Sequence, residues 1–118
     1  MNIHLDEDIF EVVKNGTKTV EVRVNDEKRR KLKVKDKITF LKRPDEIEKI
    51  DAVIENLTYY KNFEELVKDY KIEELYLSNF TKKEFLDLLK RFYRDDEINK
   101  YGVVAIRFKK MINKWFLD

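Results

Sequence analysis

The sequence predicts an α+β fold in which short strands are interspersed with amphipathic helices. Val20, Val22 and Val24 alternate with polar residues, which is typical of a strand with one buried face. Between residues 85 and 92, apolar side chains recur at intervals of three and four, as they do on the buried side of a helix. A length of 118 residues is enough for one domain with a single modest core.

The first half of the chain is predicted to alternate between strand and helix. Asp6 is a candidate N-cap for the first helix, and Gly16 fits the position after its last turn, where φ is positive. Pro44, the only proline, ends a strand because it cannot donate a backbone hydrogen bond. The predicted elements are strands at Ile3–Leu5, Lys18–Val24, Lys37–Lys42 and Ile47–Thr58, a helix at Glu7–Asn15 and a helical turn at Asp26–Leu32.

The second half is predicted to hold two helices and a final strand. Asn62 caps a helix that extends to Tyr70, and Thr81 with Glu84 forms a capping box that begins the next helix. The apolar stripe of that second helix consists of Phe85, Leu88, Leu89 and Phe92. The last strand covers Val103–Phe108.

The composition excludes several classes of site. The chain contains no cysteine, so disulfides, thiolate catalysis and cysteine-ligated zinc are ruled out, and the lone His4 has no histidine partner. We therefore expect no metal and no cofactor. Charged residues make up 42% of the chain but the net charge is only +2, so nucleic-acid binding would depend on local patches. No apolar run approaches the roughly 18 residues of a membrane span, and we expect a cytoplasmic protein without a membrane partner.

The predicted strand after Gly16 carries the most informative polar residues. Glu21 and Arg23 are two residues apart, so both side chains leave the same face, roughly 6–7 Å apart at their Cα atoms. A carboxylate and a guanidinium in that position either form an ion pair on a solvated face or bind one small ligand. Lys18 has the opposite parity, but the chain there is still leaving the turn at Gly16, so its side chain can reach the same side.

The motif Gly16-x-Lys18-x-x-Glu21-x-Arg23 resembles the ASCH domain of the PUA-like superfamily, in its small stand-alone prokaryotic form. Further matching segments follow in the family's order at Val34–Phe40, Tyr59–Leu66 and Tyr101–Ile106. Lys35 departs from the glycine that is usual in the family. The resemblance covers about residues 2–109, and it implies a small PUA-like mixed β-barrel flanked by helices.

In the ASCH family the polar residues of this strand line a cleft. The resemblance therefore implies ligand-binding roles for Lys18, Glu21, Arg23 and Tyr101, with RNA or a modified nucleoside as the ligand. The alternative is a small hydrolase of nucleosides or RNA that uses Lys18 and Glu21, because one branch of the family looks like a nucleoside deacetylase. That branch has a threonine where this chain has Glu21 and a glutamate where it has Ser78. Whether the chain is an enzyme stays open.

A basic segment, Lys28–Lys33, follows the motif. Its five cations are Lys28, Arg29, Arg30, Lys31 and Lys33. They either form a solvated face or follow a nucleic-acid backbone, in which case binding would weaken as salt rises. Candidate stacking platforms for unpaired bases, each of which could instead be a half-buried core residue, are Tyr59, Tyr60, Tyr93 and Tyr101.

The C-terminal stretch is rich in large apolar residues and includes the only tryptophan, Trp115. We assign residues 1–109 to the ASCH domain and residues 110–118 to this apolar tail. The tail either packs on the domain or forms an exposed patch that supports a homodimer or another partner.

Overall fold

The computed structural model describes residues 1–111, and its elements confirm the predicted α+β fold. The strands are β1 (Asn2–Leu5), β2 (Val20–Val24), β3 (Lys37–Lys42), β4 (Lys49–Tyr60) and β5 (Val103–Lys110). The helices are α1 (Glu7–Lys14), α2 (Phe63–Val67), α3 (Ile72–Leu75), α4 (Lys82–Phe92) and α5 (Asp95–Tyr101). A single 3₁₀ turn covers Arg29–Lys31, inside the predicted helical turn.

The five strands form one mixed sheet in the order β1-β3-β4-β5-β2. β1 runs parallel to β3, and all other neighbours are antiparallel. A bulge leaves Glu55 of β4 without a cross-strand partner, while Ile54 pairs with Phe108 and Asn56 with Arg107. The sheet curls into a half-barrel whose edge strands are β1 and β2.

Each face of the sheet buries its own apolar cluster. On one face, Phe10 of α1 packs over β3 and β5, where the Phe40 and Phe108 rings lie 4.8 Å apart. On the other face, β2 and β5 pack against the later helices. This second cluster includes Val20, Val22, Val24, Ala105, Leu66, Leu89 and Ile98. The alternation of the three β2 valines therefore marks the buried face that the sequence predicts.

Local sequence signals fix the ends of several helices. In the predicted capping box, Thr81 Oγ1 accepts from the Glu84 backbone N–H at 3.1 Å, and Glu84 Oε1 accepts from the Thr81 N–H at 2.9 Å. Asn62 caps α2 as predicted, but α2 ends five residues later, at Val67, and does not reach Tyr70. Neither α3 nor α5 is predicted from the sequence, because both are short and polar.

The two glycines occupy positions that need a positive φ. Gly16 has φ 86° and follows the end of α1, as predicted, and its turn delivers the chain to Lys18. Gly102 has φ 69°, and a Cβ there would lie 2.9 Å from the Tyr60 carbonyl oxygen. This close approach allows β5 to begin directly beside the end of β4.

Candidate ligand-binding cleft

A cleft of about 400 Å³ opens where the edge strands β1 and β2 meet α4. The charged and titratable side chains that line it are His4, Asp6, Lys18, Glu21, Arg23 and Arg43. Its aromatic lining consists of Tyr76, Phe85, Phe92 and Tyr93. The cleft therefore brings together the lysine, glutamate and arginine that the sequence motif singles out.

Lys18 is almost completely buried, with 3% of its side chain exposed. Its Nζ donates to the Val20 carbonyl at 2.5 Å and to the Leu75 carbonyl at 2.7 Å, and lies 3.1 Å from Glu21 Oε1. An ammonium group has three protons, so these three acceptors satisfy it. Because Leu75 ends α3, Lys18 ties the start of β2 to that helix.

Glu21 and Arg23 leave β2 on the same face, opposite Ile106 and Val104 of β5. Arg23 donates to Glu21 Oε2 from Nε at 3.0 Å and from Nη2 at 2.7 Å. One carboxylate oxygen thus faces Lys18 and the other binds Arg23. The Arg23 side chain is 23% exposed and that of Glu21 only 9%. In this buried triad of Lys18, Glu21 and Arg23, the guanidinium is the group that reaches the open cleft.

The charges of the triad stabilise one another. Burial by itself would raise the pKa of Glu21, but the charges of Lys18 and Arg23 and the hydrogen bonds from both outweigh it and lower that pKa to about 2. Burial lowers the pKa of Lys18, while the Glu21 carboxylate opposes this change. The same carboxylate raises the pKa of Arg23. Glu21 is therefore ionised at neutral pH and accepts a proton poorly.

Helix α4 supplies most of the apolar wall. All four residues of its predicted stripe line the cleft, but Phe92 at the end of the helix is 72% exposed. Tyr76 stacks on Phe85, with ring centroids 5.1 Å apart. Tyr93 follows α4, and burial raises the pKa of its hydroxyl while the charge of Arg23 opposes that change. The apolar wall therefore ends at the uncharged hydroxyl of Tyr93, beside Arg23.

Sequence reasoning missed the opposite wall of the cleft. There His4 Nδ1 lies 2.6 Å from Glu46 Oε1, and Arg43 Nη1 lies 3.4 Å from Asp6 Oδ1. His4 lies in β1, and its side chain is exposed. Its alternation with the two buried apolar residues of β1 is the signal that places it on the open face.

In the described part of the chain, none of the five cations of the basic segment lines the cleft. The charge of Arg29 nevertheless acts on the Tyr93 hydroxyl and lowers its pKa, against the effect of burial. Arg29 Nη1 lies 3.3 Å from Asp26 Oδ2. Three further cations of the segment, Lys28, Lys31 and Lys33, are exposed.

Arg30 and Tyr101 form a contact of their own outside the cleft. The Arg30 guanidinium carbon lies 5.4 Å from the centre of the Tyr101 ring, and Lys100 Nζ lies 5.1 Å from it. Arg30 Nε also donates to the Asn25 carbonyl at 3.0 Å. The predicted ligand-binding role of Tyr101 stays a prediction, and of the four candidate tyrosine platforms the cleft lining includes only Tyr93.

The remaining expectations concern membranes, metals and the tail. Within residues 1–111, no helix combines the length and the apolar character that crossing a membrane requires. Among the same residues, no three His, Asp or Glu side chains are grouped so that they could hold a metal ion. The tail beyond Met111 lies outside the described residues, so its packing and any homodimer stay predictions.

Comparison with known proteins places this architecture in a family. Residues 3–112 match the ASCH domain. The fold is similar to that in the crystal structure of hypothetical protein PH0355, with a TM-score of 0.77 and 27% identity over 93% of this chain and 97% of that one. It is also similar to the solution NMR structure of protein PF0455 from Pyrococcus furiosus, with a TM-score of 0.73 and 27% identity over 96% and 100% of the two chains. No curated protein matches the chain, but the domain match spans nearly all of it, and the chain belongs to the ASCH domain family.

Proposed function

We propose that this protein binds RNA or a modified nucleoside in the cleft between β1, β2 and α4. The buried triad is the observation that supports this function. Glu21 fixes the Arg23 guanidinium at the base of a cleft that has an aromatic wall. A guanidinium offers a planar fork of donors to a polar ligand, and aromatic side chains stack with unpaired bases. Membership of the ASCH family is consistent with an RNA ligand.

The basic segment extends this function from one nucleotide to a strand. Its lysines are exposed and can approach phosphates, and the charge of Arg29 acts on Tyr93 in the cleft wall. An RNA strand with one base in the cleft could therefore continue along the basic segment. Such contacts are electrostatic and independent of sequence, so they make affinity fall as salt rises.

The same geometry weighs against hydrolysis by Lys18 and Glu21. A general base works best when its pKa lies near the working pH, whereas the pKa of Glu21 is about 2. The three protons of Lys18 already have acceptors, so it has none to offer a developing oxyanion. We therefore expect binding without turnover.

Fluorescence anisotropy with a short single-stranded RNA tests the role of the basic segment. Replacing Arg29 and Arg30 together by Gln should weaken binding and flatten the salt slope by up to about 1.4, the value for two lost phosphate contacts on a single strand. The matched control replaces Lys82 and Lys83 by Gln. Those residues begin α4, about 15 Å along its axis from the end that carries Tyr93. Equal slopes in the two double variants would assign the basic segment to a solvated face.

Turnover assays test the choice between binding and hydrolysis. The protein is incubated with nucleosides and with RNA, and we expect no product. The proposal would be overturned by turnover that drops roughly 10²–10⁴-fold in Glu21→Gln, the contribution of a general base, while binding is retained.

A further inference from the structure

The cleft holds an excess of positive charge. Its lining includes three cations, Lys18, Arg23 and Arg43, but only two carboxylates, Glu21 and Asp6. Arg43 and Asp6 pair with each other at the exposed rim. The buried triad is therefore left with two cations that share a single carboxylate. The remaining titratable group, His4, has its own carboxylate partner outside the cleft lining.

This excess charge is located on Arg23. Lys18 is satisfied by three acceptors and nearly excluded from solvent. Arg23 has five N–H groups, of which two donate to Glu21. The others, on Nη1 and the outer side of Nη2, face the cleft, where the guanidinium also interacts with the oxygen of the Tyr93 hydroxyl.

A partly buried positive charge is costly unless an anion pairs with it. A neutral base edge would satisfy the hydrogen bonds of Arg23 but leave the net positive charge of the triad uncompensated. An oxyanion would do both, because two oxygens of a phosphate or carboxylate match the spacing of the guanidinium fork. The Tyr93 hydroxyl is uncharged at neutral pH and can donate to the same group.

We propose that the outer edge of Arg23, together with the Tyr93 hydroxyl, is an oxyanion-binding site, and that the cleft takes a phosphate-bearing ligand. This inference rests on the proposed function and narrows its ligand from nucleosides in general to nucleotides, free or within a strand. The phosphate binds Arg23, and the base lies against the aromatic wall of Tyr76, Phe85 and Phe92.

Isothermal titration of the full chain with matched pairs of ligands tests the proposal. The pairs are the common nucleosides and their 3′- and 5′-monophosphates, with inorganic phosphate and acetate as minimal oxyanion probes. Monophosphates should bind roughly tenfold to a hundredfold more tightly than the parent nucleosides, the range of one charge-assisted contact. Equal affinities would overturn the inference, and this comparison needs no variant.

Three variants locate the oxyanion within the cleft. Arg23→Gln should abolish the preference for monophosphates, and Tyr93→Phe, which keeps the ring, should reduce it by less than about tenfold. Arg43→Gln removes the exposed cation of the opposite wall and so distinguishes the two possible positions of the oxyanion. Loss of the preference in Arg43→Gln but not in Arg23→Gln would place the oxyanion at the rim and overturn the assignment.

The outcomes separate this inference from the proposed function. Binding of RNA and nucleosides without a preference for monophosphates overturns the oxyanion site alone. Failure of RNA, nucleosides and monophosphates to bind contradicts both. Acetate that competes as strongly as phosphate, with no added affinity from a nucleoside, would make the site one for a carboxylate and overturn the nucleotide assignment.

Discussion

The buried triad and the basic segment use the same kinds of side chain in opposite environments. In the triad, Lys18 and Glu21 are each less than a tenth exposed, and every charge has a defined partner at about 3 Å or less. In the basic segment, Lys28, Lys31 and Lys33 project into solvent. Water and salt screen the exposed charges, whereas the buried pairs are screened much less. Burial, more than the number of charges, therefore decides whether charged side chains are held in a fixed geometry or produce a diffuse electrostatic field.

The largest contrast is expected when one lysine is removed from each region. Lys18→Met should lower the free energy of unfolding by about 3–5 kcal/mol, because it leaves a buried carboxylate short of a partner and two carbonyls without a donor. Lys28→Met, at an exposed position, should change it by less than about 0.5 kcal/mol. Urea unfolding at neutral pH measures both. Similar losses in the two variants would contradict the contrast.

Acid should weaken the triad in a defined pH range. The pKa of Glu21 falls from an ordinary value of 4.5 to about 2 on folding, so its contribution is fully present above pH 4.5 and is lost as pH falls toward 2. The loss is about 3 kcal/mol. Urea unfolding between about pH 6 and 2 should therefore show a shallower pH dependence in Glu21→Gln than in the unchanged chain. The other paired carboxylates are present in both proteins, so their contributions to the pH dependence cancel in the comparison. Parallel pH profiles would mean that folding does not lower the pKa of Glu21.

Exchanging arginine for lysine sharpens the comparison by keeping the charge. Arg23→Lys should lower the free energy of unfolding by about 1–2 kcal/mol, because a single ammonium cannot reproduce the two hydrogen bonds that Nε and Nη2 donate to Glu21 Oε2. Arg30→Lys should change it by less than about 0.5 kcal/mol. Equal effects, measured by urea unfolding, would show that charge alone matters in both regions.

The smallest effect is expected at the contact between Arg30 and Tyr101. A double-mutant cycle with Tyr101→Leu and Arg30→Gln should give a coupling of about 0.5–1 kcal/mol, the size of an exposed cation–π interaction. A second cycle with Tyr101→Phe in place of Tyr101→Leu should give little coupling, because the ring and its contact with Arg30 stay. A coupling above about 2 kcal/mol would mean that this part of the basic segment is desolvated like the triad.

The sequence predicts the sheet and the helices α1, α2 and α4 because their signals are local. Alternation marks β2, and caps at Asn62 and Thr81 begin α2 and α4 where the side chains bond the backbone. Helix α5 has one buried residue, Ile98, so it has no apolar period to detect. Such short helices are stabilised by packing against the sheet, which is not readable from their own residues.

Only part of the site can be predicted from the sequence, because the rest depends on contacts with distant parts of the chain. The spacing of Glu21 and Arg23 predicts a shared face, but their burial depends on Ile106 and Val104 of a strand more than 80 residues away. The Leu75 carbonyl that orients Lys18 lies 57 positions along the chain. A backbone acceptor leaves no mark in the sequence, and neither does the closeness of Arg43 to the cleft.

The bulge at Glu55 acts on the cleft from the middle of the sheet. The walls of the cleft come from β1 and β2, which are the first and last strands in the order, so its width follows the total bend accumulated across five strands. A bulge bends its strand and increases local twist, and this one lies in the central strand β4. Lengthening, shortening or removing it would open or narrow the cleft while every lining residue keeps its identity. The width of the cleft is thus coupled to a position outside its lining.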